Sequence, residues 1–198
     1  MKSCLLCGVG GQGTVLASRV LAQAAMEQGL MARTAETIGM AQRGGCVVSH
    51  VRIGDGSHSS LIPLGGADLV VAFEPGEAVR CLPYLAPGGT VIVSPQAVQP
   101  VTAALTGKRL DGEVMINYLK SKVENLIIID TDAICRQCGS SKIVNTALLG
   151  AVAQCGVMGL TYDQIKNVLI KKIKPQFIEL NEKALDLGAK FAMEAAEK

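Results

Sequence analysis

Apolar and polar positions divide the 198-residue chain into short unbroken runs and longer periodic stretches. The first run, Ser3 to Cys7 (SCLLC), is short, nearly all apolar and closed by glycines, the pattern of a strand buried on both faces of a parallel sheet. GQGTVLASRVLAQAAMEQG follows, with Leu16, Val20, Leu21 and Ala24 at helical spacing and Gly29 as a natural C-terminal cap. Strand, glycine turn and helix open a βαβ unit.

LMARTA reads as a second strand, whereas ETIGMAQRGG has neither period and reads as a loop. CVVSHVRIG alternates, Val47, Ser49, Val51 and Ile53 against Val48, His50 and Arg52, and GDGS is expected to turn it back on SSLIP as a hairpin at one side of the sheet. The βαβ logic then repeats: Leu69 to Phe73 as a strand, Glu74 to Leu85 as a short helix entered near Pro75, and Thr90 to Val93 as the next strand. NLIIID is a further buried strand. After it come four helical segments, TDAICRQCG, SSKIVNTALLGAVAQCG, TYDQIKNVLIKKI and PQFIELNEKALDLGAKFAMEAAEK. This order predicts an α/β fold: a Rossmann-like, doubly wound, mostly parallel sheet with an edge hairpin and a helical C-terminal region from about residue 131. No repeat, low-complexity segment or linker interrupts it, so residues 1–198 are expected to form one domain.

Composition narrows the class. Apolar residues make up 49% of the chain and charged residues 18%, and the mean hydropathy is +0.34, high enough to suggest an apolar surface covered by a partner. The net charge of +2 is spread out, and its densest cluster, Lys171, Lys172 and Lys174, sits at a helix end; with 3% aromatic residues this argues against nucleic-acid binding. The glycines after Cys7 cut the first apolar run too early for a signal peptide, and no later run reaches membrane-spanning length. Seven cysteines, an odd number, are expected to be reduced thiols in a cytoplasmic protein.

The strongest local motif is Gly8-Val9-Gly10-Gly11-Gln12-Gly13, a G-x-G-x-x-G pattern with an added glycine, placed after a strand and before a helix. Its glycines permit a tight turn and close backbone approach, and the following helix start faces an anion such as a phosphate. A ligand-free βα turn is the plain alternative. An NAD site would also want an acid at the end of the second strand; Glu36 is near that place but leads into the irregular loop. The second loop, Gln42-Arg43-Gly44-Gly45, presents a guanidinium beside bare backbone to a phosphate, carboxylate or partner chain, or is a turn with a solvated Arg. Cys4 and Cys7 should point to opposite faces of their strand and so cannot share a metal. Cys135 and Cys138 share a helix face but close the helix instead of opening it, where a thiol is not activated. His50 and His58 are expected at the surface. GDG at Gly54 to Gly56 resembles the start of a thiamine-diphosphate motif, but the first Asn is Asn117, too distant to complete it. No G-x-S-x-G, H-E-x-x-H or P-loop lysine is present, and no catalytic set emerges.

Taken together, GVGGQGTVLASRVLAQAA, ETIGMAQRGGCVVSHVRIG, LIPLGGADLVVAFEPGEAVRCLPYL and PGGTVIVS resemble the gamma-type subunits of 2-oxoacid:ferredoxin oxidoreductases. Within that family ETIGMAQRGG and FEPGEAVR look most like the beta subunits of indolepyruvate ferredoxin oxidoreductases, and the likeness extends to NTALLGA and NEKALDLG. The resemblance implies a subunit, inactive alone, of a complex that oxidatively decarboxylates an aryl 2-oxoacid to an acyl-CoA with ferredoxin as acceptor. It implies that thiamine diphosphate, Mg2+ and iron-sulfur clusters belong to a larger partner subunit. On this reading Gly8, Gly10, Gly11, Gln12 and Gly13 cradle coenzyme A phosphates, and Arg43, Gly44 and Gly45 reach the partner. A free-standing nucleotide- or CoA-binding module, an NAD(P)-dependent dehydrogenase and a purely structural assembly subunit remain the competing readings.

Overall fold

A computed structural model describes residues 1–38, 44–56, 59–99 and 111–196. Its elements are β1 (Lys2–Val9), α1 (Thr14–Glu27), β2 (Ala32–Ile38), β3 (Cys46–Ile53), β4 (Ala67–Ala72), α2 (Pro75–Cys81), β5 (Leu85–Val93), α3 (Gly112–Lys122) and β6 (Asn125–Ile128). Four helices follow: α4 (Thr131–Cys138), α5 (Val144–Cys155), α6 (Tyr162–Lys172) and α7 (Ile178–Ala196). The six strands form one sheet in the order β2-β3-β1-β4-β5-β6. The β1, β4, β5 and β6 pairings are parallel, and β3 alone runs antiparallel to both its neighbours, β1 and β2.

Helices cover both faces, as expected of a doubly wound sheet. The period-two alternation of β1 sends Cys4 and Leu6 into a core shared with α1, α5, α6 and α7, and Leu5 and Cys7 into a second core with α2 and α3. β4 divides likewise, Leu69 and Val71 against Val70 and Ala72. Leu5, Leu6 and Leu69 are fully buried, and each contributes about 2 kcal/mol of hydrophobic stabilisation. On the first face α7 lies directly on α5. A Cβ at Gly188 would fall on the Ala147 carbonyl and one at Gly150 on the Leu185 carbonyl, so only glycine permits this approach. The Thr146 hydroxyl donates to Asn181 Oδ1 at 2.7 Å and fixes the register of the pair.

Two expectations need correction. The edge hairpin is β2 with β3, Ala32 facing Ile53 and Ile38 facing Val47, not β3 with SSLIP. Gly54 and Gly56, with φ of 103° and 85°, do turn the chain. The residues beyond are held to β3 by side chains instead of a ladder: Arg52 donates to the Ser59 and Leu61 carbonyls, and the Ile62 amide donates to His50 Nδ1 at 3.2 Å. His50 is therefore not a surface residue. It is 4% exposed, edge-on to Tyr84, and burial holds its ring pKa below the ordinary value. His58 lies outside the described residues. Helix α3 has no counterpart among the elements read from the sequence. Asp111 caps it by accepting from the Glu113 amide, and Lys120 and Lys122 complement its C-terminal end.

Candidate functional site

β1 ends at the topological switch of the sheet, between β1, whose helix α1 packs on one face, and β4, whose helix α2 packs on the other. In open α/β sheets this crevice is where ligands bind. Here Gln12 spans it. Its Oε1 accepts from the Val9 amide at 2.8 Å and its Nε2 donates to the Phe73 carbonyl at 3.1 Å, tying the end of β1 to the end of β4. Gly8 makes room for this brace, since a Cβ there would lie 2.6 Å from Gln12 Oε1 and 2.8 Å from Phe73 Cβ. Gln12 thus shapes the loop with its whole side-chain amide engaged.

The rest of the loop faces outward. Gly11 has φ 101° and open space where a Cβ would stand. Gly13, φ 85°, is the N-cap of α1, no side chain caps that helix, and its first turn carries no acidic residue. The positive end of α1 is thus without a capping side chain or a nearby acid of its own. The second loop joins the first: the Gly10 amide donates to the Gly45 carbonyl at 2.8 Å, and the Gly44 amide donates to the Gly10 carbonyl at 3.4 Å. These bonds extend the β1–β3 pairing past Val9 and Cys46, so Gly10, Gly44 and Gly45, about 35 positions apart in sequence, share one rim. Arg43 and Gln42 lie outside the described residues.

Below the rim sits a polar group with one open position, the buried Glu74 Oε2, which has no hydrogen-bond partner among the described residues. Cys46 donates its thiol to Glu77 Oε2 at 2.8 Å, Arg80 pairs with Glu77 Oε1 at 3.3 Å, and Glu74 Oε1 caps α2 by accepting from the Glu77 amide at 2.6 Å. Burial and the Glu77 carboxylate push the Cys46 thiol to about 12, and burial raises the Glu74 carboxyl. Cys4, Cys135 and Cys138 are likewise raised by burial, the opposite of what a reactive thiol needs. All seven cysteines are free. Among the described residues no three His, Cys, Asp or Glu side chains converge to hold a metal ion. Gly54 to Gly56 lie at the opposite end of the sheet, where a Gly54 Cβ would meet Met1.

The dinucleotide pattern is incomplete in a specific way. Glu36 is on β2 opposite Ser49, and β3 stands between β2 and β1. The acid is two strand spacings from β1, about 10 Å, instead of one. One residue absent from the sequence reading does reach the loop. Asn145, at the start of α5, lies against Gly13, where a Cβ would come within 2.8 Å of its Nδ2.

The described residues thus form a doubly wound α/β sheet with a glycine turn over an uncapped helix start at its topological switch. Residues 3–191 match the family described as pyruvate ferredoxin/flavodoxin oxidoreductase, and the chain belongs to that family. It is 38% identical over 183 residues to the indolepyruvate oxidoreductase subunit IorB of Archaeoglobus fulgidus, covering 91% of this chain and 90% of that one. Among solved structures it is similar to the gamma subunit of a keto/oxoacid ferredoxin oxidoreductase from Geobacter sulfurreducens, with a TM-score of 0.72 and 24% identity over 98% of this chain and 100% of that one. It also matches, at TM-score 0.73 and 20% identity, 98% of this chain against 31% of the 2-oxoglutarate:ferredoxin oxidoreductase of Magnetococcus marinus, solved with 2-oxoglutarate, coenzyme A and succinyl-CoA bound. Its homologues are subunits of 2-oxoacid:ferredoxin oxidoreductases, which bears out the resemblance carried by the sequence motifs.

Proposed function

We propose that this chain is the small subunit of a complex that converts an aryl 2-oxoacid and coenzyme A to an acyl-CoA and CO2, passing two electrons to ferredoxin. The class of substrate follows from relatives named as indolepyruvate oxidoreductase subunits. Residues 1–198 act as one unit within a cytoplasmic assembly; among the described residues no helix is long and apolar enough to cross a membrane. Thiamine diphosphate with Mg2+ and the iron-sulfur clusters fit the larger partner subunit, because the described residues here offer no convergent ligand set.

The observation that carries the reading is the pairing of Gly10 with Gly44 and Gly45 beside the uncapped start of α1. Two loops become one rim, open at Gly11, that suits the phosphates of coenzyme A. Gln12 and Gly8 hold that rim in place, and the role proposed for Arg43 is contact with the partner subunit. The dehydrogenase alternative is disfavoured by the displaced Glu36.

Steady-state kinetics of the assembled complex test the reading against a purely structural role. Gly11→Val adds its side chain on the open side of the rim. We expect the KM for coenzyme A to rise at least about tenfold, or ~1.4 kcal/mol, with the KM for indolepyruvate little changed. An unchanged KM for coenzyme A in a normally assembled complex makes the loop scaffold only.

A further inference from the structure

α1 covers one face of the β2–β3 hairpin and leaves the start of β2 open on the other. The alternation that turns Ala32 and Ile53 toward α1 sends Arg33 and Arg52 to that open side. The two arginines are direct cross-strand partners, so two positive charges stand side by side, a pairing that destabilises a sheet. Among the described residues neither guanidinium is in an ion pair. Arg52 donates to the Ser59 and Leu61 carbonyls and to Met1 Sδ, and its Nε is buried without a partner. Arg33 is exposed, and its charge is left unneutralised.

Exposed apolar side chains gather around the pair. Met26, Leu30 and Met31 line a shallow cavity of about 390 Å³ together with Arg33. The Met31 carbonyl accepts from the Gly54 amide at 2.8 Å, and a Cβ at Gly54 would lie 3.2 Å from Met1 Cα, which brings Met1 and, through Arg52, Leu61 to the same end of the sheet. Met26, Met31 and Leu61 are each at least half exposed. A contiguous apolar patch on a folded surface marks an interaction site, and methionine side chains adapt readily to a partner.

We propose that this patch docks the larger partner subunit: a segment of that subunit sets an aspartate or glutamate carboxylate on Arg33 and Arg52 and apolar side chains on Met26, Leu30 and Met31. The existence of that partner rests on the proposed function. Charge selects the occupant. A second copy of this chain, related by a two-fold axis, would set arginines against arginines, whereas an incoming carboxylate offsets the repulsion that the hairpin carries alone. β2 runs from Ala32 at the patch to Ile38, which faces Val47, two residues from Gly45 of the rim, so one partner lying along this edge strand meets both ends of it.

Surface plasmon resonance of the full chain over its immobilised cognate larger subunit tests the surface. Arg33→Glu and Met31→Asp should each weaken association at least about tenfold, while Met193→Asp, exposed on α7, stays within about twofold of the parent. Arg33→Glu also removes the like-charge pair, so the Tm of the free chain should equal or exceed the parent's, where a structural role for Arg33 would lower it. The proposal is overturned if either variant binds like the parent, if Met193→Asp is weakened as much, or if the two variants instead abolish self-association of the chain alone, which would give the patch to a second copy. A complex that assembles with the expected sensitivities yet oxidises no indolepyruvate supports the docking surface and counts against the proposed function alone. A larger subunit that does not bind the parent chain overturns both.

Discussion

Gln12 and Asn145 carry the same functional group and flank the same glycine turn, but their surroundings use them in opposite ways. Gln12 reaches into the crevice between β1 and β4, and both ends of its amide bond to backbone. Asn145 stands at the helix start beside Gly13, and its amide is reached by solvent instead of being locked to backbone. The first amide is structural, part of what makes the turn a turn. The second keeps its contact with water, so its hydrogen bonding adds little to the stability of the folded chain.

The largest test of this contrast acts on the wall behind Asn145. Gly188→Val would drive a side chain into the Ala147 backbone and lift α7 from α5, at a cost of about 3 kcal/mol read from the urea midpoint. Next come the two amides themselves. Gln12→Leu strands the Val9 amide and the Phe73 carbonyl and should destabilise by about 2 kcal/mol. Asn145→Leu should stay within about 0.5 kcal/mol of the parent. Equal losses in the two variants would erase the distinction. A pH series calibrates both, using a buried polar side chain that is satisfied at one nitrogen. His50 has a folded pKa depressed below 6.5 by burial, so the stability it contributes is present above 6.5 and is lost as pH falls through the folded value. A thermal melt series from pH 7 to pH 5 should therefore decline more steeply for the parent than for His50→Gln, by at most about 1.4 kcal/mol per pH unit, the limit for one proton.

The parts of the fold legible in the sequence are those whose signal is local. The SCLLC run, the glycines and the period of Leu16, Val20 and Leu21 specify β1, the turn and α1 without reference to anything distant. The alternation of β3 was equally clear, but alternation does not say which strand lies alongside: the same residues could pair with SSLIP or with β2, and β2 won. His50 was misread for a related reason. Its face of β3 is covered by the segment around Ile62 and by Tyr84, which an alternating pattern cannot show. Helix α3 gave little signal because only Ile116 and Leu119 of its residues are buried. The glycine rim was visible as two separate motifs. Their union through Gly10 and Gly45, and the arrival of Asn145 from far along the chain, depend on tertiary packing alone.

The alternation that sends Cys4 and Cys7 to opposite faces of β1 has a practical consequence. Three positions apart on one strand, the two thiols report on different halves of the molecule: Cys4 is sealed by the α1, α5, α6 and α7 layer, and Cys7 by the α2 and α3 layer. Alkylation of each under native conditions requires its own layer to open. The chain therefore carries a built-in pair of clocks, able to tell whether the two sides of the sheet loosen together or in turn, and which of them yields when the larger partner docks.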